Sequence, residues 1–118
     1  MNTSKIDIFI TAYLRQQFTE ETLRFIKERT KYPYKLFLLD NGGNHEFRPA
    51  VDYYVGFGSN MGIHASWNVA LALAESDYFI TTDNDLLVPD LAPDWLTQAV
   101  AIMDRHPDYG AISLHPHV

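Results

Sequence analysis

Two aspartates stand one residue apart, directly after a run of residues fit for a buried strand. The run is Tyr78–Thr82, and Asp83 and Asp85 follow it with Asn84 between them. Alternation along an extended chain points Asp83 and Asp85 in the same direction. Two carboxylates are hard oxygen ligands that can hold Mg²⁺ or Mn²⁺, and the metal can hold a diphosphate. The pair makes a nucleotide-sugar site the leading hypothesis, and the alternative is an Asx turn that closes the strand.

Other polar residues lie at the ends of predicted elements. Asp40 ends a strand before a Gly-Gly turn, where it could accept an N–H from a base or a ribose hydroxyl, or simply form the turn. Asn60, Gly62 and Asn68 surround the start of a helix, where free N–H groups can bind phosphate, although Asn60 could only cap the helix. Tyr13 ends the first strand and could pack on a ligand ring or serve the structure.

These residues depend on an alternation of strands and helices for their positions. Short apolar runs predict five strands, at Ile6–Ile10, Tyr34–Leu39, Val51–Val55, Tyr78–Thr82 and Gly110–Leu114. Helical connections between strands imply mostly parallel pairing and right-handed crossovers. The predicted fold class is therefore α/β, a Rossmann-like three-layer α/β/α arrangement around a mostly parallel sheet.

Three helices are predicted between the strands. The first has Thr19 as N-cap and stops before Pro33. The second carries apolar residues at helical spacing from Ile63 to Ala74, with Ser59 or Asn60 as cap, and the third has an apolar face from Trp95 to Met103.

Composition narrows the function classes. The 118 residues suit one domain, and a net charge of −6 without a basic stripe argues against a nucleic-acid partner. Because the chain is acidic, binding a diphosphate would require a cation. The absence of cysteine excludes disulfides and thiolate metal sites. No apolar run is long enough for a signal peptide or a membrane span, so we expect no membrane span and a cytoplasmic location.

Taken in order, these motifs resemble the family 2 glycosyltransferases, whose catalytic domain has the glycosyltransferase A-type fold. The similar segments are the opening strand and loop at Ile6–Arg15, the second strand at Lys35–Gly42, the helix start at Asn60–Gly62 with Asn68, the D-x-D motif at Asp83–Asp85, and the approach to a further strand at His106–Ile112. The family usually has Pro-Thr-Tyr where this chain has Thr11-Ala12-Tyr13.

The resemblance implies roles for single residues. Asp85 and Asp83 would hold Mn²⁺ or Mg²⁺, Asp83 would also lie near the ribose, and Asp40 would contact the base. The residues implied to bind the nucleotide sugar are Thr11, Tyr13, Asp40, Asn60, Gly62, Asn68 and Asp83.

The resemblance also implies what the chain does as a whole. Residues 1–118 would be a single nucleotide-sugar-binding domain of a truncated fold, and the acceptor half with the family's general base would be absent, which leaves the catalytic residues unknown. Its function would be that of a glycosyltransferase, which binds a nucleotide-diphosphate sugar, with a UDP-sugar as the favoured donor, and transfers the sugar to an unknown acceptor. The alternatives are a non-catalytic nucleotide-binding module and a fragment of a longer enzyme. An uncovered sheet edge predicts a homodimer, with Gly110–Val118 at or near the contact.

Overall fold

A four-stranded parallel sheet lies at the centre of the computed structural model, which describes residues 5–113. The strands are β1 (Ile6–Tyr13), β2 (Tyr34–Gly42), β3 (Tyr53–Gly56) and β4 (Phe79–Asp83), in the order β3-β2-β1-β4. The helices are α1 (Gln16–Arg29), α2 (Gly62–Leu73) and α3 (Trp95–Arg105), and a short 3-10 helix spans His45–Ala50. Every strand pair is parallel.

The sheet is covered on both faces, because side chains alternate along each strand. On one face Ile8 and Ile10 of β1 are fully buried in a core that includes Leu23 and Ile26 of α1 and residues of α3. On the other face Phe9 stacks on a phenylalanine of β2 at 4.4 Å between ring centroids, in a core that includes Ala70 of α2. The three-layer α/β/α arrangement is therefore confirmed.

Helix α1 begins earlier than predicted. It starts at Gln16, so Thr19 is not its N-cap but a fully buried residue of its second turn. The residue in the N-cap position is Arg15, whose backbone is left-handed. Thr19 does not cap the helix because its hydroxyl donates to the side chain of Asn44 in the loop after β2. Local capping rules do not include such a tertiary contact. The helix ends at Arg29, before Pro33, as predicted.

Strand ends also differ from the prediction. β2 continues through Gly42, into the predicted turn, because Tyr13 of β1 still pairs with Gly42 after a register shift. β3 lies at Tyr53–Gly56, two residues later at its start. Residues 110–113 of the predicted last strand are not in a strand, and Leu114 lies outside the described residues.

The start of α2 is set by a residue that the sequence did not suggest. Met61 holds the N-cap position, and its backbone N–H donates to the side-chain oxygen of Asn41 at 3.0 Å. The oxygen of Asn60 accepts from Gly62 N at 3.0 Å in a local turn, so neither predicted cap occupies the cap position. Buried Asn41 therefore ties the helix start to the end of β2.

A buried charge fixes the edge of the sheet where strands begin. The Asp7 side chain is fully buried, and its Oδ2 accepts from the backbone N–H groups of Glu75 (2.9 Å) and Ser76 (3.2 Å). Lys35 Nζ lies 3.4 Å from its Oδ1. Burial opposes ionisation, but the two backbone hydrogen bonds and Lys35 outweigh it, so the pKa of Asp7 lies below its usual value. Asp7 thus anchors the connection between α2 and β4.

The opposite edge gathers the carboxyl ends of all four strands. From β1 the chain passes through α1 to β2 on one side, whereas β4 pairs with β1 on the other side. The strand order therefore reverses beside β1, and ligands of open α/β sheets bind outside the carboxyl ends of the strands at such a point.

Candidate functional site at the carboxyl edge of the sheet

Strand pairing brings three predicted site residues to the ends of adjacent strands. Thr11 of β1 is level with Asp83 of β4, and the next residue of β1, Ala12, is level with Asp40 of β2. The carboxylates of Asp40 and Asp83 therefore flank β1 at its carboxyl end. The sequence placed both aspartates at strand ends, and the strand order makes these ends neighbours of the same strand.

The two aspartates of the D-x-D motif are exposed, whereas the residue between them is buried. Asp83 is the last residue of β4, and the Asp85 side chain is about half exposed at 51%. Asn84 points inward and is 7% exposed. Asn84 and Asp85 lie in the turn that follows β4, and the pattern of burial leaves both carboxylates open to a ligand.

Asn84 holds the motif in place from inside. Its Nδ2 donates to the backbone oxygen of Leu14 at 3.0 Å and to Thr19 Oγ1 at 2.8 Å. Its backbone oxygen accepts from the Thr22 hydroxyl at 2.9 Å. Because these bonds are buried or partly buried and give the Asn84 NH2 group two acceptors, they fix the backbone that carries Asp83 and Asp85.

The loop after β1 carries two consecutive left-handed residues. Leu14 has φ 55° and Arg15 has φ 54°, a region that costs roughly 1–2 kcal/mol for each non-glycine residue. The backbone of Leu14 is held by bonds to the loop after β2, with its N–H donating to Gly42 O at 2.8 Å. The strained loop places Arg15 Nη1 3.8 Å from Asp85 Oδ2, in an exposed ion pair of the kind that contributes little to stability.

Asp40 is a buried acceptor. It is 4% exposed, and its carboxylate accepts from Gly42 N (2.8 Å), Asn44 N (3.2 Å) and the Tyr54 hydroxyl (2.6 Å). Burial, together with this bond to Asp40, raises the pKa of Tyr54 to about 12. Tyr54 therefore remains a donor through neutral pH, and the contact of Asp40 with a base stays a prediction.

The glycine turn after Asp40 is required by the backbone. Gly43 has φ 82°, and a Cβ there would lie 2.9 Å from a methyl carbon of Leu14. The ring of Tyr13 lies over Gly42, where a Cβ would meet it at 3.6 Å, and the tyrosine is 48% exposed. Tyr13 therefore presents ring surface at the edge of the sheet, as predicted for packing on a ligand, and that contact too stays a prediction.

The residues predicted around the start of α2 are all exposed, at different distances from the sheet edge. Asn60 and Gly62 flank Met61, which Asn41 ties to the end of β2. Asn68 lies six residues after Gly62, about 9 Å along the helix axis. The structure therefore brings Asn60 and Gly62 to the end of β2 and leaves Asn68 farther along the helix.

The carboxylate pair fits a metal that a diphosphate would help to hold. Within residues 5–113, no group of three or more His, Asp or Glu side chains could hold a metal ion. Mg²⁺ in phosphate-handling sites is commonly bound by one or two carboxylates plus phosphate oxygens and water. Asp83 and Asp85, which both face solvent, could supply that protein share.

A groove of about 570 Å³ lies beside the site, along β4 and α3. Its lining includes β4 residues 79–82, Val100 and Met103 of α3, and residues 110–113, but not Asp40, Asp83 or Asp85. The groove is therefore separate from the three carboxylates of the candidate site. In the described part of the chain, no helix is long and apolar enough to cross a membrane.

Sequence reasoning missed the buried residues behind the site. Asn44 and Thr19 are fully buried, and Asn84 was considered only as the spacer of its motif. One signal was available for Asn84, since alternation that points its two neighbours outward points it inward. A second signal was available for Thr19. It lies four and seven residues before buried Leu23 and Ile26, which places it on the same buried face of the helix.

Comparison with known proteins gives a match to a family model and a likeness to solved structures. A family model described as Glycosyl transferase family 2 matches residues 7–118. Among solved structures, the mannosyltransferase PcManGT from Pyrobaculum calidifontis, in complex with GDP-Man and Mn²⁺, superposes with a TM-score of 0.69 at 24% identity. That match covers 84% of this chain and 32% of PcManGT, and at this identity it concerns the fold. No curated protein gives a significant match.

Proposed function

This chain belongs to glycosyltransferase family 2, and from that premise we propose that its sheet edge binds a nucleotide-diphosphate sugar through a divalent metal. One observation carries the proposal: Asp83 and Asp85 stand exposed at the carboxyl edge while buried Asn84 holds them there. The likeness in fold to a mannosyltransferase that holds GDP-Man and Mn²⁺ adds support.

Each side of the proposed site has its own task. Asp83 and Asp85 hold Mn²⁺ or Mg²⁺, which when bound neutralises charge on the diphosphate leaving group. Asp40 accepts a hydrogen bond from the nucleoside on the other side of β1. Thr11 and Tyr13 line the strand between them, and Asn60, Gly62 and Asn68 border the site from the start of α2.

A UDP-sugar is the proposed donor. The affinity for UDP is to be compared with the affinity for GDP, because PcManGT holds GDP-Man. Transfer to an acceptor is part of the proposal, and its catalytic base is not assigned. The second candidate is nucleotide-sugar binding without transfer. The match covers 32% of the length of PcManGT, so transfer by this chain stays a proposal.

We also propose that two copies of the chain associate. The outer edge of β4 pairs with no strand of the described residues, and the groove beside it is partly apolar. Exposed strand edges are templates for pairing with another chain. The proposed contact therefore runs along β4 and the segment from Gly110 onward.

The binding proposal is tested by titrating UDP and GDP into the protein with Mn²⁺ and with EDTA. We predict that Mn²⁺ strengthens binding of UDP, and that Asp85→Ala removes most of this metal-dependent part because it deletes an exposed ligand. Asp90→Ala, which removes an exposed aspartate of the following loop, should bind as the wild type does. Equal UDP affinity of the wild-type protein in Mn²⁺ and in EDTA would refute the metal bridge.

A further inference from the structure

A chain of buried side-chain hydrogen bonds crosses from the Asp40 side of the site to the D-x-D side. Asn84 Nδ2 donates to Thr19 Oγ1 at 2.8 Å, and the Thr19 hydroxyl donates to Asn44 Oδ1 at 2.8 Å. Asn44 in turn donates to Asp40, from its backbone N at 3.2 Å and from its Nδ2 at 3.4 Å. Thr19 and Asn44 are fully buried, so water does not replace any of these bonds.

The direction of every bond in this chain is fixed by its surroundings. The Nδ2 of Asn44 also faces the backbone oxygens of Leu14 (3.2 Å) and Gly42 (2.9 Å), so the amide cannot be turned round without placing oxygen against oxygen. Asn44 therefore presents its Oδ1 to Thr19. A hydroxyl has one proton, and Thr19 gives it to Asn44, which leaves its lone pairs to accept from Asn84.

We infer that Thr19 is a positioning residue that couples the nucleoside side of the site, at Asp40, to the metal side, at Asp83 and Asp85. The inference rests on the proposed function, because the coupling it describes is between the two halves of that ligand. A nucleoside that orders Asp40 orders Asn44 with it, and the Thr19 hydroxyl passes the change to Asn84.

Neither end of this chain can move freely while the other is held. A shift of Asn44 or Asn84 alone would leave a buried amide or hydroxyl without its partner, which is costly. A shift of both together keeps every bond, so the loops after β2 and β4 move as one unit. Binding at either end then favours binding at the other by the same factor.

Uridine and free Mn²⁺ test the coupling, because uridine lacks the diphosphate that would hold the metal. The Mn²⁺ affinity is measured by electron paramagnetic resonance without uridine and at saturating uridine. We expect uridine to raise the Mn²⁺ affinity roughly fivefold or more in the wild-type protein. Thr19→Ser keeps the hydroxyl and should keep the effect. Thr19→Val should reduce it, because the two asparagines are then linked through the Leu14 backbone oxygen and no longer through the hydroxyl.

Two buried threonines serve as matched controls. Thr22→Val removes a hydroxyl that donates to Asn84 O but makes no bond to Asn44, so uridine should still raise the Mn²⁺ affinity. Thr30→Val removes a hydroxyl bonded to Trp95 at 2.8 Å, away from the site, and should lower stability while the coupling persists.

The possible failures are distinct. If the wild-type protein binds both ligands without coupling, or if Thr19→Val keeps the full coupling, the role of Thr19 is overturned. The proposed function is not affected by either result. Absence of any uridine or Mn²⁺ binding overturns the proposed function, and the inference falls with it. Should Thr19→Val not fold, nuclear magnetic resonance of the wild-type protein decides. Uridine in metal-free buffer must shift the side-chain amide signals of Asn84, and unshifted signals overturn the inference.

Discussion

At the scale of single residues, the D-x-D motif is defined as much by its middle residue as by its carboxylates. Asn84 faces inward and bonds to α1 and to the loop after β1, and this leaves the two aspartates facing solvent. A residue without a side-chain donor at position 84 would leave Thr19 and Leu14 without this partner. The spacing of the motif therefore places a buried anchor between two exposed carboxylates, one at the end of β4 and one in the turn that follows.

Asp40 offers a residue-scale prediction about the nucleoside. We predict that Asp40→Asn weakens the binding of uridine and of UDP by a similar factor, on the order of 1–3 kcal/mol for loss of a charged hydrogen bond. The asparagine has nearly the same volume and can still accept from Tyr54 and from Asn44 N, but its NH2 group then faces the Gly42 N–H, so the variant should be folded and less stable. Calorimetric titration with both ligands measures the two losses.

Tyr54 supplies the control for that prediction. Tyr54→Phe removes the phenol that donates to Asp40 but keeps the carboxylate, so its effect on uridine affinity should be the smaller one. A folded Asp40→Asn protein that binds uridine as the wild type does would place the nucleoside elsewhere.

At the scale of elements, hydrophobic periodicity predicted the three helices and four strands of the sheet but not all their ends. The core residues of β1 and the apolar faces of the helices are patterns within one element, and these are visible in the sequence. The predicted start of α1 was wrong because Arg15 adopts a left-handed backbone that local sequence signals did not indicate. Residues 110–113 have strand-like composition but make no strand pairing.

The site was predictable where it depends on strand ends, and not where it depends on contacts between distant segments. Asp40 and Asp83 could be placed because strand ends in a parallel sheet share one edge. The bonds of Thr19 to Asn44 and Asn84 join residues 25 and 65 positions apart. No local pattern encodes such contacts, so the residues behind the carboxylates appear only in the folded chain.

The opposite edge of the sheet offers a prediction about stability and pH. The pKa of Asp7 is lowered in the folded protein, so its carboxylate contributes stability above the unfolded-state pKa of about 3.9, and that contribution is lost as the pH falls through the folded-state pKa. We predict that Asp7→Asn lowers the free energy of unfolding at pH 7 by about 1–3 kcal/mol, since charged hydrogen bonds are lost. Urea unfolding at pH 7 and at about pH 3 measures both effects.

The same experiment carries its own check. Below about pH 4 the difference between wild type and Asp7→Asn should shrink, because the Asp7 carboxyl takes up a proton first in the unfolded state and, at lower pH, in the folded state. Asp90→Asn, at an exposed position, should follow the wild type throughout. A difference between wild type and Asp7→Asn that is the same at both pH values would contradict an ionic role for Asp7.

At the scale of the whole molecule, two apolar surfaces remain open among the described residues. The first is the groove along β4 and α3. The second is a stripe on α2 in which Ile63, Trp67 and Leu71 follow one another at spacings of four, with Leu71 64% exposed. Contiguous apolar surface of this kind marks contacts with other chains. The two surfaces lie in different parts of the fold, so substitutions can distinguish them.

The proposed homodimer is therefore predicted to depend on the groove and not on α2. Thr81 is an exposed residue of β4 in the groove lining, and Thr81→Lys places a charge on the strand edge, a device that blocks edge pairing. We predict that sedimentation velocity at micromolar concentration shows a wild-type dimer, a Thr81→Lys monomer, and a dimer for Leu71→Lys, which adds the same charge to α2. A monomeric wild type would refute the dimer, and a dimer abolished by Leu71→Lys alone would move the contact to α2.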